Sequence, residues 1–130
     1  RTRLIREVMD EIKSRAGQDF PVTLSISGFE RVPGGRSIDD TQRLAPEFAA
    51  AGVDCFRVSG GISDSLVTMM VGRSEYGDAP NIAQAEAIKN VVDVPVMLVG
   101  RIHDPDLAEH ILANGQADLI ALARPLLADP

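Results

Sequence analysis

Tryptophan is absent from this chain, and the aromatic set is four phenylalanines and one tyrosine. Acidic residues outnumber basic ones, 19 to 13, for a net charge of −6. That balance sets nucleic acid aside as a partner, because such surfaces are basic and interleaved with stacking aromatics. No window approaches the roughly 18 consecutive apolar residues of a membrane-spanning helix. The opening RTRLIREVMDEIK is too polar for the hydrophobic part of a signal peptide. The single cysteine, Cys55, cannot close an internal disulfide, and no metal-type spacing surrounds it. Together these absences point to a reducing cytoplasm. The chain also lacks an initiator methionine and starts inside a helical pattern, as a segment of a longer protein would.

What is present is ordinary for a globular domain: 45% hydrophobic and 25% charged residues. A length of 130 residues suits one domain, residues 1–130, with a real core. Thr2 to Ala16 reads as a helix, with Leu4, Ile5, Val8, Met9 and Ile12 on one face. Pro21 to Ser27 alternates as a strand and runs into the Gly-rich loop GFERVPGGR. Ser37 then starts a second helix, with Asp40 as capping-box partner. Its buried face is marked by Leu44, Phe48 and Ala49. Pro46 predicts a kink or break near Arg43.

Val53 to Ser59 is the second strand, followed by Gly60 and Gly61. Ile62 to Pro80 has no clean period and reads as an irregular loop. Asn81 to Asn90 resumes helix, and Pro95 to Val99 is the third strand. Asp104 caps the next helix, with Pro105 at its first position. Ala117 to Ala123 is the fourth strand, a near-continuous apolar run of the kind buried on both faces. Four helix–strand units of about 30 residues fit a doubly wound sheet or half of an eight-stranded barrel.

Ligands of parallel α/β folds sit beyond the carboxyl ends of the strands. The residues there are Ser25 and Ser27, Ser59 to Gly61, Gly100 with Arg101, and Ala123 with Arg124. Gly100 allows close backbone approach. Two arginines after adjacent strands can grip one dianion with charge-assisted bonds. Pro125 starts a short helix, and its free N–H groups at Leu126 and Leu127 would favour the same anion. His103 reads as an exposed turn residue, Cys55 as packing, and Asp39, Asp40 and Asp104 as helix-start partners. No serine–histidine or paired-carboxylate set is present, so no catalytic residue is assigned.

The run VDVPVMLVGRIHDPDLAEHILANGQADLIALARPLLADP resembles the end of the flavin barrel in the Old Yellow Enzyme (NADH:flavin oxidoreductase) family. The GRI-x-DP turn, the G-x-AD strand entry and the ARPLLADP ending carry the resemblance. Its nearest flavour is the branch with 2,4-dienoyl-CoA reductase and trimethylamine dehydrogenase. RTRLIREVMDEIK, SGFERVPGGRSIDD and AGVDCFRVSGG resemble the preceding units.

The resemblance implies a (β/α)₄ half of a TIM barrel, its parallel strands corresponding to strands five to eight. It implies FMN as cofactor, with Gly100, Arg101, Ala123 and Arg124 at the phosphate, and NADH or NADPH as reductant. The substrate would be a small molecule with an activated alkene. Such families place an arginine on the fifth strand, in an Arg-Leu-Ser run near flavin N1 and the C2 carbonyl. Aligned on that run, this chain has Thr23-Leu24-Ser25, so Thr23 stands at the arginine position, and Arg57 does not match it.

The substrate-activating pair would lie in the other half, so the isolated chain is expected to be inactive. Its two open sheet edges are expected to pair with a second copy as a homodimer. Two other readings stay open on the residues alone. One is a non-flavin phosphate-binding barrel enzyme; the other is a non-catalytic half-barrel module.

Overall fold

The computed structural model describes residues 2–65 and 77–129. Most of the irregular stretch between Ile62 and Pro80 therefore lies outside the described residues. The elements are α1 (Arg3–Ala16), β1 (Thr23–Ser27), α2 (Ile38–Ala50), β2 (Cys55–Ser59), α3 (Ile82–Lys89), β3 (Val96–Val99), α4 (Pro105–Ala113), β4 (Leu119–Ala121) and α5 (Arg124–Ala128). The strands form one sheet in the order β1-β2-β3-β4, every pair parallel. Sequential parallel neighbours joined by helices are the expected build of repeated βα units.

Strand alternation gives the sheet two different faces. On one, Ile26, Phe56, Val58, Val96 and Leu98 are buried against the helices, together with Met9, Phe48, Ile88 and Ile111. Each large side chain sealed there contributes about 1.5–3 kcal/mol. The other face carries Thr23, Ser25, Arg57, Met97 and Leu119 and is not sealed by helices. In the half barrel that the sequence leads one to expect, it would be the interior side.

The register sets Ser25 beside Arg57, Arg57 beside Met97 and Met97 beside Leu119. β4 therefore departs from the expectation of burial on both faces. Leu119 is 43% exposed and Leu122 38%, because an edge strand has neither a neighbour nor a covering layer on its interior side. α1 departs in the same way. Met9 is buried, but Leu4 is 70% exposed, since the helix flanks the open β1 edge.

α2 begins with the predicted capping box, Ser37 with Asp40. The Ser37 hydroxyl and backbone N–H hold the Asp40 carboxyl below its ordinary value. Pro46 does not break the helix, which runs unbroken from Ile38 to Ala50. The proline lies on the exposed side, so the Gln42 carbonyl it leaves unbonded can face water. Thr41, Ala45 and Phe48, buried on either side of it, anchor both halves to the core.

The amino ends of the strands carry a repeated clamp. Asp54, just before β2, accepts hydrogen bonds from the Val22 N–H at 2.7 Å and from Lys13 Nζ at 2.7 Å. Asp118, just before β4, accepts from the Val96 N–H at 2.9 Å and from Lys89 Nζ. In both places the lysine belongs to the helix before the earlier strand. α1-β1-α2-β2 and α3-β3-α4-β4 thus share one clamp. Stability devices gather at this end of parallel barrels, leaving the carboxyl ends for ligands.

Candidate functional site

The carboxyl ends of β3 and β4 open into a cleft of about 370 Å³ lined by Gly100, Arg101, His103, Ala123, Arg124 and Pro125. Four of the five residues expected from the sequence to hold a cofactor meet there. Thr23 does not. It is the first residue of β1, paired with Cys55, at the opposite end of the strand from the rim. A larger hollow, about 730 Å³, opens beside the β1 edge and includes Leu24, Ile26, Leu44 and Phe48. It holds none of the five, and its floor is the uncovered margin of the helix-side core.

The turn after β3 is shaped by two positive φ angles, 127° at Gly100 and 48° at Arg101. A left-handed arginine is uncommon and needs surrounding support. Here the support comes from the segment before α3. The Ala79 N–H donates to the Arg101 carbonyl at 3.2 Å. Arg101 Nε donates to the Gly77 carbonyl at 2.9 Å, and Nη2 lies 3.3 Å from Asp78 Oδ1. His103 Nε2 is 3.6 Å from the same oxygen.

Arg101 is thus partly balanced by Asp78, whereas exposed Arg124 makes no ion pair among the described residues. The two arginines line one cleft, but they differ in electrostatic weight, and Arg124 is the stronger claim on an incoming anion. The short terminal helix differs in detail from expectation. It starts at Arg124, with Pro125 second, and the Leu127 N–H is taken by the Ala123 carbonyl at 3.2 Å. Leu127 therefore offers no free donor, because a helix consumes its N–H groups from the fourth position onward.

Asn81 is a residue that pattern reading passed over as a plain helix start. It is 7% exposed, and its Nδ2 donates to the Val99 carbonyl at 2.9 Å. A Cβ at Gly60 would come within 2.4 Å of its Oδ1, and one at Gly100 within 2.8 Å of its Nδ2. Its side chain fills the space that two glycines leave open, tying the end of β2 to the end of β3. The only hint in the sequence is a small polar residue before a helix that follows two Gly-containing strand ends.

On the interior face, Arg57 Nε donates to Ser25 Oγ at 3.1 Å. Cys55 is half-buried and free, and burial pushes its thiol up, which suits packing better than thiolate chemistry. Among the described residues no three His, Cys, Asp or Glu side chains gather as a metal site. No helix among them is long and apolar enough to cross a membrane.

Residues 1–130 match the NADH:flavin oxidoreductase / NADH oxidase family from end to end. The chain belongs to this family. Among its relatives, the NADH oxidase of Thermoanaerobacter brockii is 38% identical over 130 residues, covering 100% of the chain and 20% of that protein. The cinnamate reductase of Clostridium sporogenes is 37% identical over 151 residues, covering 99% of the chain and 21% of that protein. Histamine dehydrogenase from Rhizobium sp. 4-9 superposes with a TM-score of 0.83 at 27% identity, over 99% of the chain and 18% of that structure.

The chain spans about a fifth of the length of these relatives. As a family member it is part of a domain of the NADH:flavin oxidoreductase / NADH oxidase family. Its four parallel strands alternating with helices match that portion of the solved structure.

Proposed function

We propose that these residues form the phosphate-holding half of an FMN barrel, strands five to eight, within a longer NAD(P)H-dependent flavin oxidoreductase of the ene-reductase type. The observation that carries this reading is the meeting of Gly100, Arg101, Ala123 and Arg124 in one cleft, beyond two neighbouring strand ends. A phosphate site after the last two strands, beside a short extra helix, is a recurrent barrel arrangement.

The residues present fit the group. Gly100 leaves out a Cβ that would collide with Asn81, so backbone can close on a phosphate oxygen, and Arg124 brings a charge without a competing carboxylate. FMN bound there supplies hydride acceptance from NADH or NADPH and hydride delivery to the β-carbon of an activated alkene. The cinnamate reductase relative favours that acceptor class. The chain's own part is to hold the phosphate, fix the rim through Asn81 and Asp78, and set the polarity under the ring.

Arg124→Glu in the full-length protein is expected to weaken FMN binding about tenfold to a hundredfold. The readout is flavin absorbance retained after gel filtration. Undiminished FMN in that variant, or displacement of the ligand by a phosphorylated sugar instead, would overturn the reading.

The isolated 130 residues are expected to lack alkene reduction with NADPH and FMN. Among the described residues the strands of the interior face offer hydroxyls, a thiol and a guanidinium, and no carboxyl or imidazole to serve as proton donor. Leu126, 52% exposed, and Leu127, 84%, lie on the short helix that follows β4. In isolation these residues and the two open edges are expected to drive pairing with a second copy. Sedimentation velocity showing a stable monomer would contradict that association.

A further inference from the structure

We infer that Arg57 is a flavin-contacting residue, its guanidinium donating to the pyrimidine edge of the ring and stabilising the negative charge that edge takes up on reduction. The inference rests on the FMN reading above and assigns the ring end of the same site.

Alternation places Arg57 on the interior face, two residues before Ser59, the end of β2. Among the described residues it is the only charged side chain on that face. The other interior positions of β1 and β2 are hydroxyl residues and Cys55; those of β3 and β4 are Met97, Val99, Leu119 and Ala121. The face is therefore polar on one side and apolar on the other. An isoalloxazine ring has the same division, with an apolar dimethylbenzene edge and a carbonyl-rich pyrimidine edge.

A cation inside a closed barrel is costly unless an anionic or carbonyl partner meets it. Arg57 has no carboxylate within ion-pair distance among the described residues. Its Nε instead rests on Ser25 Oγ at 3.1 Å, so the side chain is oriented without being neutralised. The register explains how the charge reaches β1. Thr23-Leu24-Ser25 carries no cation, yet Ser25 pairs directly with Arg57. A short serine leaves room for the neighbouring strand's guanidinium to lie over it. The planar fork is suited to adjacent acceptors such as a ring nitrogen and carbonyl.

The test uses the full-length flavoprotein with Arg57→Met, Arg57→Lys and Ser25→Ala. Sulfite is the probe. It adds through sulfur to flavin N5 and leaves the resulting negative charge on the pyrimidine edge. Arg57→Met is expected to weaken sulfite binding about tenfold or more and to lower the flavin midpoint potential, with FMN still held through the phosphate cleft. Arg57→Lys is expected to recover part of both. Ser25→Ala removes only the orienting hydroxyl and is expected to weaken sulfite about threefold, so it carries the test if the methionine variant fails to fold.

A purely structural arginine would move the thermal midpoint and leave the sulfite affinity and potential of the bound flavin unchanged. That result in either Arg57→Met or Ser25→Ala overturns the inference while leaving the phosphate site standing. An unaltered protein that binds no FMN overturns both.

Discussion

Gly100→Val in the full-length protein is expected to yield a folded polypeptide that purifies without FMN. Gly100 has a φ of 127°, a region that side chains with a Cβ avoid and a β-branched residue avoids most. Strain of this kind costs about 1–3 kcal/mol. The added Cβ would also lie 2.8 Å from Asn81 Nδ2, the donor that holds the Val99 carbonyl. Displacing it leaves a part-buried carbonyl without that donor, a further loss of about 1 kcal/mol. Both effects fall on the turn that the proposed site brings to the phosphate.

Gly115→Ala is the control. Gly115 has a φ of 68°, but its Cβ direction is open, and the residue lies at the amino end of β4. That variant is expected to lose about 1 kcal/mol of stability and to keep its flavin. The ratio of flavin to protein absorbance distinguishes the two. Full flavin content in Gly100→Val would mean that this turn does not approach the phosphate.

The second large effect belongs to the opposite end of the sheet. Lys13 is almost sealed in protein, with 8% of its side chain exposed. Its Nζ donates to Asp54, to the Gln18 carbonyl at 3.1 Å and to the Phe20 carbonyl at 2.8 Å. The hydrogen bond from Lys13, followed by that from the Val22 N–H, holds the Asp54 carboxyl below its ordinary value. At Asp118, desolvation pushes upward, but the Lys89 and Val96 donors outweigh it, and that carboxyl also ends below its ordinary value.

A carboxylate with a lowered folded-state pKa contributes stability that is fully present above its unfolded pKa, near 4. The contribution is lost as pH falls through the folded value. Asp54→Ala is therefore expected to cost about 2 kcal/mol at pH 7, mostly from leaving a buried ammonium with two carbonyl acceptors but no counter-charge, and moderated by the solvent exposure of Asp54. It should also flatten the decline of stability below about pH 4. Denaturant melts at pH 7 and pH 3 measure both effects. A difference from the parent protein that is as large at pH 3 as at pH 7 would show that the clamp is not electrostatic.

Most of the chain's organisation was legible before folding. Each strand appears where alternation or an apolar run placed it, trimmed by one or two residues at its start and, in β4, by two at its end as well. Asp54 and Asp118 account for part of that trimming, since their side chains occupy the donors where the ladder would begin. Capping at Ser37 and Asp104 followed from local hydrogen bonding alone. Pro46 does not break α2, because the cost of a helical proline depends on which way its missing bond faces. Exposure of β4 was misread because an apolar run records what a strand can bury, not what covers it.

Local chemistry along the chain determined the βα repeat, the family, and the placing of Gly100–Arg101 and Ala123–Arg124 at one rim cleft. These depend on period, turn residues and strand-end position, each a short-range property. Only the tertiary structure decided that Asp78 tempers Arg101, that Asn81 occupies the space of two glycines, and that Arg57 lies over Ser25. Those are relations across strands and loops, and the register that creates them is set by packing of the whole sheet.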